Sequence, residues 1–176
     1  GSFGKKDGVT GILDAYNIAR KKIPELKLRL IGYQIRAFRL QDELEKRGLE
    51  NNENIEITGQ VLYKDIPRLL AECGLLVMNR TSSEYANHGF PTKLGEYLAT
   101  GRPVVSSDTS DISEYFEDGY DIRIIEPDNS SELAQVMIER IENKEKYDEI
   151  GCNGKMTVNK NFDYHKVVPQ IHNFLN

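Results

Sequence analysis

Lys93 and Glu96 stand about one helical turn apart in the run Gly89-Phe90-Pro91-Thr92-Lys93-Leu94-Gly95-Glu96, and their chemistry suits two polar parts of a nucleotide. A lysine beside a threonine hydroxyl offers a charge and a donor to phosphate, and an ionised carboxylate accepts two hydrogen bonds, as from the cis-diol of a ribose. Pro91 fits the first turn of a helix, where its missing N–H costs nothing, and Gly101 fits the position just past the end, so the spacing predicts a helix over 91–100. Unpaired amides around Thr92 and Lys93, at the positive end of the helix dipole, then form an anion site. Glu96 lies one turn further in, clear of those amides but able to face the same cleft. The competing reading is a solvated i,i+3 ion pair worth roughly 0.2–0.5 kcal/mol, and spacing alone does not choose between the two.

A second cluster, Gly4-Lys5-Lys6-Asp7-Gly8, stands near the amino end. Glycine permits close backbone approach and lysine reaches a diphosphate as a point charge, although such a segment is more often only a turn. Neither common nucleotide fingerprint occurs: there is no G-x-x-x-x-G-K-[ST] and no G-x-G-x-x-G after a strand. No carboxylate pair has a spacing that supports a covalent hydrolase mechanism, and no nucleophile has an adjacent base. Cys73 and Cys152 stand far apart without a C-x-x-C pattern or clustered histidines, so neither a disulfide framework nor a metal site is indicated, and both read as buried or incidental thiols. A net charge of -5 with Lys and Arg mixed among acids gives no basic face for nucleic acid. No run approaches the roughly 18 apolar residues of a membrane span and no charged-then-apolar leader opens the chain, which gives a cytoplasmic expectation.

The elements that position these residues are stacked βα units. Short Val-, Ile- and Leu-rich segments at 26–31, 54–58, 75–78, 103–106 and 121–125 alternate with helical patterns at 9–22, 36–47, 63–73, 91–100, 112–116 and 130–143. Alternation of this kind predicts an α/β, Rossmann-like open parallel sheet with helices on both faces, in a single domain over 1–176. Asn129 with Glu132 predicts a capping box, followed by an apolar stripe of Leu133, Val136, Met137 and Ile141. Further helical pattern runs over 144–160 and 164–174. The first helix begins after eight residues, so the strand before it is reduced to 1–3, and a truncation upstream is expected. Open parallel sheets bind ligands beyond the carboxyl ends of their strands, which directs attention to the long loop 79–90, twelve residues where two to six is usual.

Taken together these segments resemble the carboxyl-terminal domain of the retaining, GT-B-fold glycosyltransferases often called family 4, or glycosyl transferases group 1. The resemblance rests on Lys6-Asp7-Gly8, Leu28-Arg29-Leu30-Ile31-Gly32, Ile55-Glu56-Ile57-Thr58-Gly59-Gln60-Val61 and Ile66-Pro67-Arg68-Leu69-Leu70-Ala71-Glu72-Cys73. Its most specific part is Gly89-Phe90-Pro91-Thr92-Lys93-Leu94-Gly95-Glu96-Tyr97-Leu98-Ala99-Thr100-Gly101-Arg102-Pro103-Val104-Val105. It implies that the domain binds a UDP- or GDP-linked sugar as substrate, needs no metal or other cofactor, and works with a separate amino-terminal domain that supplies most of the acceptor site. The acceptor would be a glycan or lipid-linked sugar in polysaccharide synthesis, handled in the cytoplasm or at the inner membrane face through that missing domain.

By the same resemblance Glu96 is the ribose-binding glutamate and Lys6 the phosphate-binding lysine, while the sugar-facing glutamate falls at His88 and an expected arginine at Ser2. Those two positions depart from the pattern. Glu84 is an alternative carboxylate in the same loop. Lys6 and His88 are thus the candidate catalytic residues, and Lys6, Gly59, Gln60, Val61, Gly89, Phe90, Pro91, Thr92, Lys93 and Glu96 the candidate nucleotide-binding set. Lys6, Lys93 and the helix amides would stabilise the charge on the departing diphosphate, and Gly32-Tyr33 with Gly59-Gln60-Val61 would border the base. The alternatives are a catalytically inactive nucleotide- or sugar-binding module, which the two departures favour, and a related sugar-nucleotide epimerase, whose proton-transfer carboxylates are not found. As an isolated domain the chain is expected to bind nucleotide and transfer nothing.

Overall fold

The computed structural model describes residues 2–3, 7–34, 39–84, 88–163, 165, 168–169 and 172. In chain order the elements are β1 Ser2–Phe3, α1 Val9–Ala19, β2 Leu28–Ile31, β3 Tyr33–Gln34, α2 Leu40–Glu45 and β4 Ile55–Gly59. A 3₁₀ turn at Tyr63–Asp65 leads into α3 Ile66–Ala71, followed by β5 Leu76–Met78, α4 Thr92–Ala99 and β6 Val104–Ser107. The chain continues through α5 Ile112–Tyr115, β7 Arg123–Ile125, α6 Ser130–Glu142 and α7 Lys144–Asn161.

Every strand expected from composition is present within two residues of its expected bounds, and every ladder is parallel. β5, β6 and β7 pair in that order, β2 pairs with β4, and β1 pairs with β3, which prolongs the β2 run after Gly32. Among the described residues β2 and β5 do not pair with each other, and β1 contributes two residues beside β3. Helices cover both faces, as expected. Ile12, Ala15 and Ala19 of α1 pack with Leu133, Val136 and Met137 of α6 over Val105 and Ile125. On the opposite face Leu94 and Leu98 of α4 join Leu70 of α3, Ile112 of α5 and Val158 of α7 over Leu76 and Val104.

Several helix ends differ from the periodic pattern for local reasons. α2 starts at Leu40 because Arg39 is extended, and the expected start at residue 36 lies outside the described residues. α3 tightens into a 3₁₀ turn before Pro67, which occupies the first α turn. Pro91 is the extended residue that caps α4 and not its first helical residue, whereas Gly101 takes a left-handed φ of 76° just past the end, as expected. Asn129 accepts the amide of Glu132 at 3.0 Å, but the Glu132 carboxylate accepts from the Glu126 amide instead of returning to Asn129 N–H. The Asn129 amide is already engaged by the Glu126 carbonyl, so only half of the capping box forms. Ile141, placed on the apolar stripe, is 53 % exposed. Cys152 is exposed and Cys73 half-buried, with its thiol on the Leu69 carbonyl. Most of 164–174 lies outside the described residues. Among the described residues no helix is long and apolar enough to cross a membrane.

α7 approaches the sheet domain through two glycines. A Cβ at Gly151 would lie 2.5 Å from the Gly101 carbonyl oxygen and 2.7 Å from the Pro103 nitrogen, and one at Gly154 would collide with the Asp121 carbonyl and Leu98. Tyr147, at the start of the same helix, is fully buried; its hydroxyl donates to Glu139 at 3.0 Å and accepts from Arg123 at 2.8 Å. Burial pushes its phenol up to about 12, the Glu139 contact adding to the shift and the Arg123 charge opposing it.

Gly154→Ala is expected to destabilise the domain by about 1–3 kcal/mol, because the obstructing atom is backbone and the helix must shift; urea titration should show a lower midpoint at an unchanged slope. Tyr147 keeps its proton to higher pH when folded than when unfolded, so its contribution is intact below pH 10 and is lost as pH rises towards about 12. The stability difference between the native chain and Tyr147→Phe should therefore shrink across that interval in denaturation series.

Candidate functional site

The site is built outward from the residue that follows β5. Asn79 is buried, and its side-chain amide donates to the Gly8 carbonyl at 2.9 Å. Gly8 caps α1 with a left-handed φ of 55°, and a Cβ there would collide with the Asn79 backbone oxygen. At Gly11, one turn along, a Cβ would meet the same Asn79 amide nitrogen at 2.8 Å. Two glycines and one short amide thus let the first turn of α1 close onto the carboxyl end of β5.

The next residue fixes the long loop. Arg80 N–H donates to Ser107 Oγ at 2.6 Å, and Ser107 Oγ donates back to the Arg80 carbonyl at 2.8 Å, so the last residue of β6 holds both backbone groups of Arg80. The Arg80 guanidinium donates to the Gly89 carbonyl at 2.6 Å, joining the two ends of the loop. Ser82 N–H donates to Asp128 Oδ2 at 2.9 Å, which ties the loop to the turn before α6. Residues 85–87 lie outside the described residues.

Phe90 anchors the far end. Its ring stacks on Phe162 at 5.5 Å and Phe116 at 6.4 Å and meets Tyr115 edge-on at 5.8 Å. The ring is thus engaged with the ends of α5 and α7. Pro91 then turns the chain into α4, whose first turn presents Thr92 and Lys93 to solvent, with Glu96 exposed one turn on. Among the described residues neither Lys93 nor Glu96 has a hydrogen-bond or ion-pair partner, so the i,i+3 pair does not form. His88 is exposed and its Nδ1 sits on the Glu84 carbonyl. A carbonyl only accepts, so Nδ1 carries the proton and Nε2 of the neutral ring is an acceptor.

The remaining candidates lie elsewhere on the sheet's carboxyl edge. Gly59 ends β4 at a φ of 67° and its carbonyl accepts from Gly32 N–H at 3.1 Å. Gln60 is exposed, Val61 half-buried and Tyr33 exposed. These belong to the β2–β4 half, whereas α4 packs on the β5–β6–β7 half. Lys6 lies outside the described residues. The structure therefore brings the Gly8 turn, residues 79–84, 88–90 and the start of α4 into one region, while 59–61 follow the β2–β4 ladder.

Asp7, Asn79, Arg80, Lys93 and Tyr97 line one end of a cavity of about 970 Å³. A carboxylate oxygen of Asp7 is buried there without a hydrogen-bond partner among the described residues. Burial pushes the Tyr97 phenol up, and the neighbouring Cys73, Glu96 and Asp7 add to that shift. Sequence reasoning did not assign roles to Asn79, Ser107 and Asp128. Their one legible signal is position: each is a polar residue at or just beyond the carboxyl end of a strand, where side chains can bond to neighbouring loops.

Parallel βα units with a pinned glycine turn and a long loop running into a helix amino terminus define a Rossmann-like α/β domain, and its fold matches that half of GT-B glycosyltransferases. The chain belongs to the glycosyl transferases group 1 family, whose model matches residues 1–157. It is 27 % identical over 169 residues to an uncharacterized glycosyltransferase of Methanocaldococcus jannaschii, covering 96 % of this chain and 44 % of that protein. A second uncharacterized glycosyltransferase of the same organism is 25 % identical over 171 residues, with 97 % and 42 % covered. Anabaena HepE in complex with UDP superposes with a TM-score of 0.85 at 25 % identity, over 99 % of this chain and 47 % of that one. The carboxyl-terminal domain of a glycosyl transferase group 1 family protein from Francisella tularensis shares the fold at a TM-score of 0.79 and 19 % identity, over 92 % and 82 % of the two chains. The chain thus spans less than half the length of the Methanocaldococcus and Anabaena proteins.

Asn79→Ala removes the side-chain donor to the Gly8 carbonyl, which keeps only the Ile12 amide of α1 at 3.1 Å, and is expected to cost about 0.5–1.5 kcal/mol. Equilibrium unfolding in urea should read this as a lowered midpoint, which Asn79→Asp does not restore, because a carboxylate would face a carbonyl oxygen.

Proposed function

We propose that this chain is the donor-binding half of a retaining glycosyltransferase that takes a nucleoside-diphosphate sugar, UDP-linked in the first instance. The reading is carried by one observation. The first turn of α4, with exposed Thr92 and Lys93, stands on the carboxyl edge of the sheet beside a Gly8 turn held by Asn79, in a chain that superposes on Anabaena HepE in its complexes with UDP and UDP-glucose.

The diphosphate accepts hydrogen bonds from the amides of the first turn of α4 and the charge of Lys93, with Lys6 as the second cation. Glu96, a turn further along and without a hydrogen-bond or ion-pair partner among the described residues, accepts from the two ribose hydroxyls. Charge grows on the departing diphosphate as the sugar–phosphate bond breaks, and donors fixed in place beforehand stabilise it without reorganisation. His88 offers Nε2 to a sugar hydroxyl in the place of a carboxylate. The acceptor, a glycan or lipid-linked sugar, is held largely by a second domain of the same protein, so this chain alone binds the nucleotide and transfers no sugar.

UDP at about 100 times its dissociation constant should stabilise the chain by about 2.7 kcal/mol and raise its melting temperature by about 5–10 °C. GDP, ADP and CDP serve as the comparison. Glu96→Ala should weaken UDP binding about 10- to 100-fold while leaving the affinity for inorganic pyrophosphate unchanged. No shift with any nucleotide, or equal affinity for UDP and deoxy-UDP, would overturn the assignment.

A further inference from the structure

Gly89 hands the long loop over to α4, and crowding does not hold it in place. A Cβ added there would meet no described atom within 4 Å, so the glycine does not relieve a close contact, and its backbone has more conformational freedom than another residue type would give. A side chain removes that freedom. The Arg80 guanidinium donates to the Gly89 carbonyl at 2.6 Å, nine residues along the chain. Arg80 is itself fixed through its backbone, whose N–H donates to the buried Ser107 hydroxyl at 2.6 Å and whose carbonyl accepts from it at 2.8 Å.

This hydrogen bond sets the direction of a peptide dipole. The Gly89–Phe90 peptide is trans, so its carbonyl and its N–H point in opposite directions. With the carbonyl on Arg80, the Phe90 N–H points away from the guanidinium, and among the described residues no group accepts it. The Phe90 ring is stacked on Phe116 and Phe162, and Pro91 follows with a φ of -74°, which its ring fixes. Two residues beyond Phe90 begins the first turn of α4, whose amides lie at the positive end of the helix dipole. Arg80 and Lys93 both line the end of the cavity that holds Asp7 and Asn79. A flip of the Gly89–Phe90 peptide would bring a carbonyl oxygen, the negative end of its dipole, to where the N–H now stands.

We propose that Arg80 is a positioning residue for the donor diphosphate, an inference that rests on the donor-binding reading. It holds the Gly89–Phe90 peptide with its N–H, and not its carbonyl, towards the anion, and so adds one fixed donor to the amides of α4 without itself touching the phosphate. Donors oriented in advance bind developing charge without reorganisation. The two roles open to a cation beside an anion site respond differently to salt. A guanidinium aimed at a phosphate is an attraction that salt screens, whereas one that orients a peptide acts through geometry, which salt leaves intact.

The test is Arg80→Met, which keeps an unbranched side chain and the backbone bonds to Ser107 but removes the side-chain donors and the charge. Affinities for UDP and for inorganic pyrophosphate should fall by the same factor, about 3- to 10-fold, at both about 0.05 M and about 0.5 M salt. Equal factors put the loss on the diphosphate and not on the nucleoside. The Leu94 N–H donates to the Pro91 carbonyl at 2.8 Å in the first turn of α4; its hydrogen exchange should quicken about 3- to 10-fold, more than at amides in the body of the helix. A loss of affinity seen at low salt and absent at high salt would overturn the proposal, because Arg80 would then act as a charge on the phosphate. Unchanged affinity, or unchanged exchange at Leu94, would overturn it as well. If the unsubstituted chain binds neither UDP nor pyrophosphate, the donor reading fails and the proposal falls with it; binding by that chain with no response to Arg80→Met sinks the proposal alone.

Discussion

Asn79 sets the geometry on which the site depends. It is the first residue beyond β5, it is buried, and its amide reaches across to the carbonyl that begins α1. The approach is close enough that neither Gly8 nor Gly11 can carry a Cβ without displacing Asn79. A buried polar side chain must be satisfied or its desolvation goes unrecovered, so the end of one strand and the start of a helix 71 residues away in sequence are held at one separation. Ser107 and Asp128 extend the same logic to the loop that follows, by binding the backbone of Arg80 and Ser82. A long loop at the carboxyl edge of the sheet is thereby fixed at its beginning by side chains from two other segments.

The far end of that loop is held by packing. Phe90 sits among Tyr115, Phe116 and Phe162, with ring centroids 5.5–6.4 Å apart, and such pairs add about 0.5–1.5 kcal/mol beyond the area they bury. Phe162 closes α7, and α7 is itself pressed onto the end of α4 through Gly151 and Gly154. The helix that presents Lys93 and Glu96 is therefore gripped at both ends by the same carboxyl-terminal helix. Polar groups complete the arrangement on the other side of the sheet, where Arg123, Glu139 and Tyr147 satisfy one another in a half-buried network. Among the described residues, exposed Lys93 and Glu96 carry no such obligations.

The cavity bordered by β2 and β5 reaches Asp7, Asn79, Lys93 and Tyr97, so the start of α4 and the glycine turn before α1 share one concave region. Among the described residues no group hydrogen-bonds the buried Asp7 carboxylate oxygen in that region.

Much of this was legible in the residues. Alternating apolar runs gave strands within two residues of their bounds, because parallel strands buried on both faces must be continuously hydrophobic. Gly101 and the run before it located α4 and its end, and the length of 79–90 marked the long loop that precedes it, since helix ends and unusual loops have local chemistry. Tertiary structure alone decided the partners. Only folding shows that Asn79 meets Gly8, that Ser107 holds Arg80, that Phe90 is engaged by Phe162, and that Glu132 answers Glu126 instead of Asn129. Each joins residues without a fixed sequence offset, or is settled by which neighbour reaches a donor first. The strand order has the same origin: that β2 pairs with β4 and β5 with β6 is a property of segments distant in sequence facing each other.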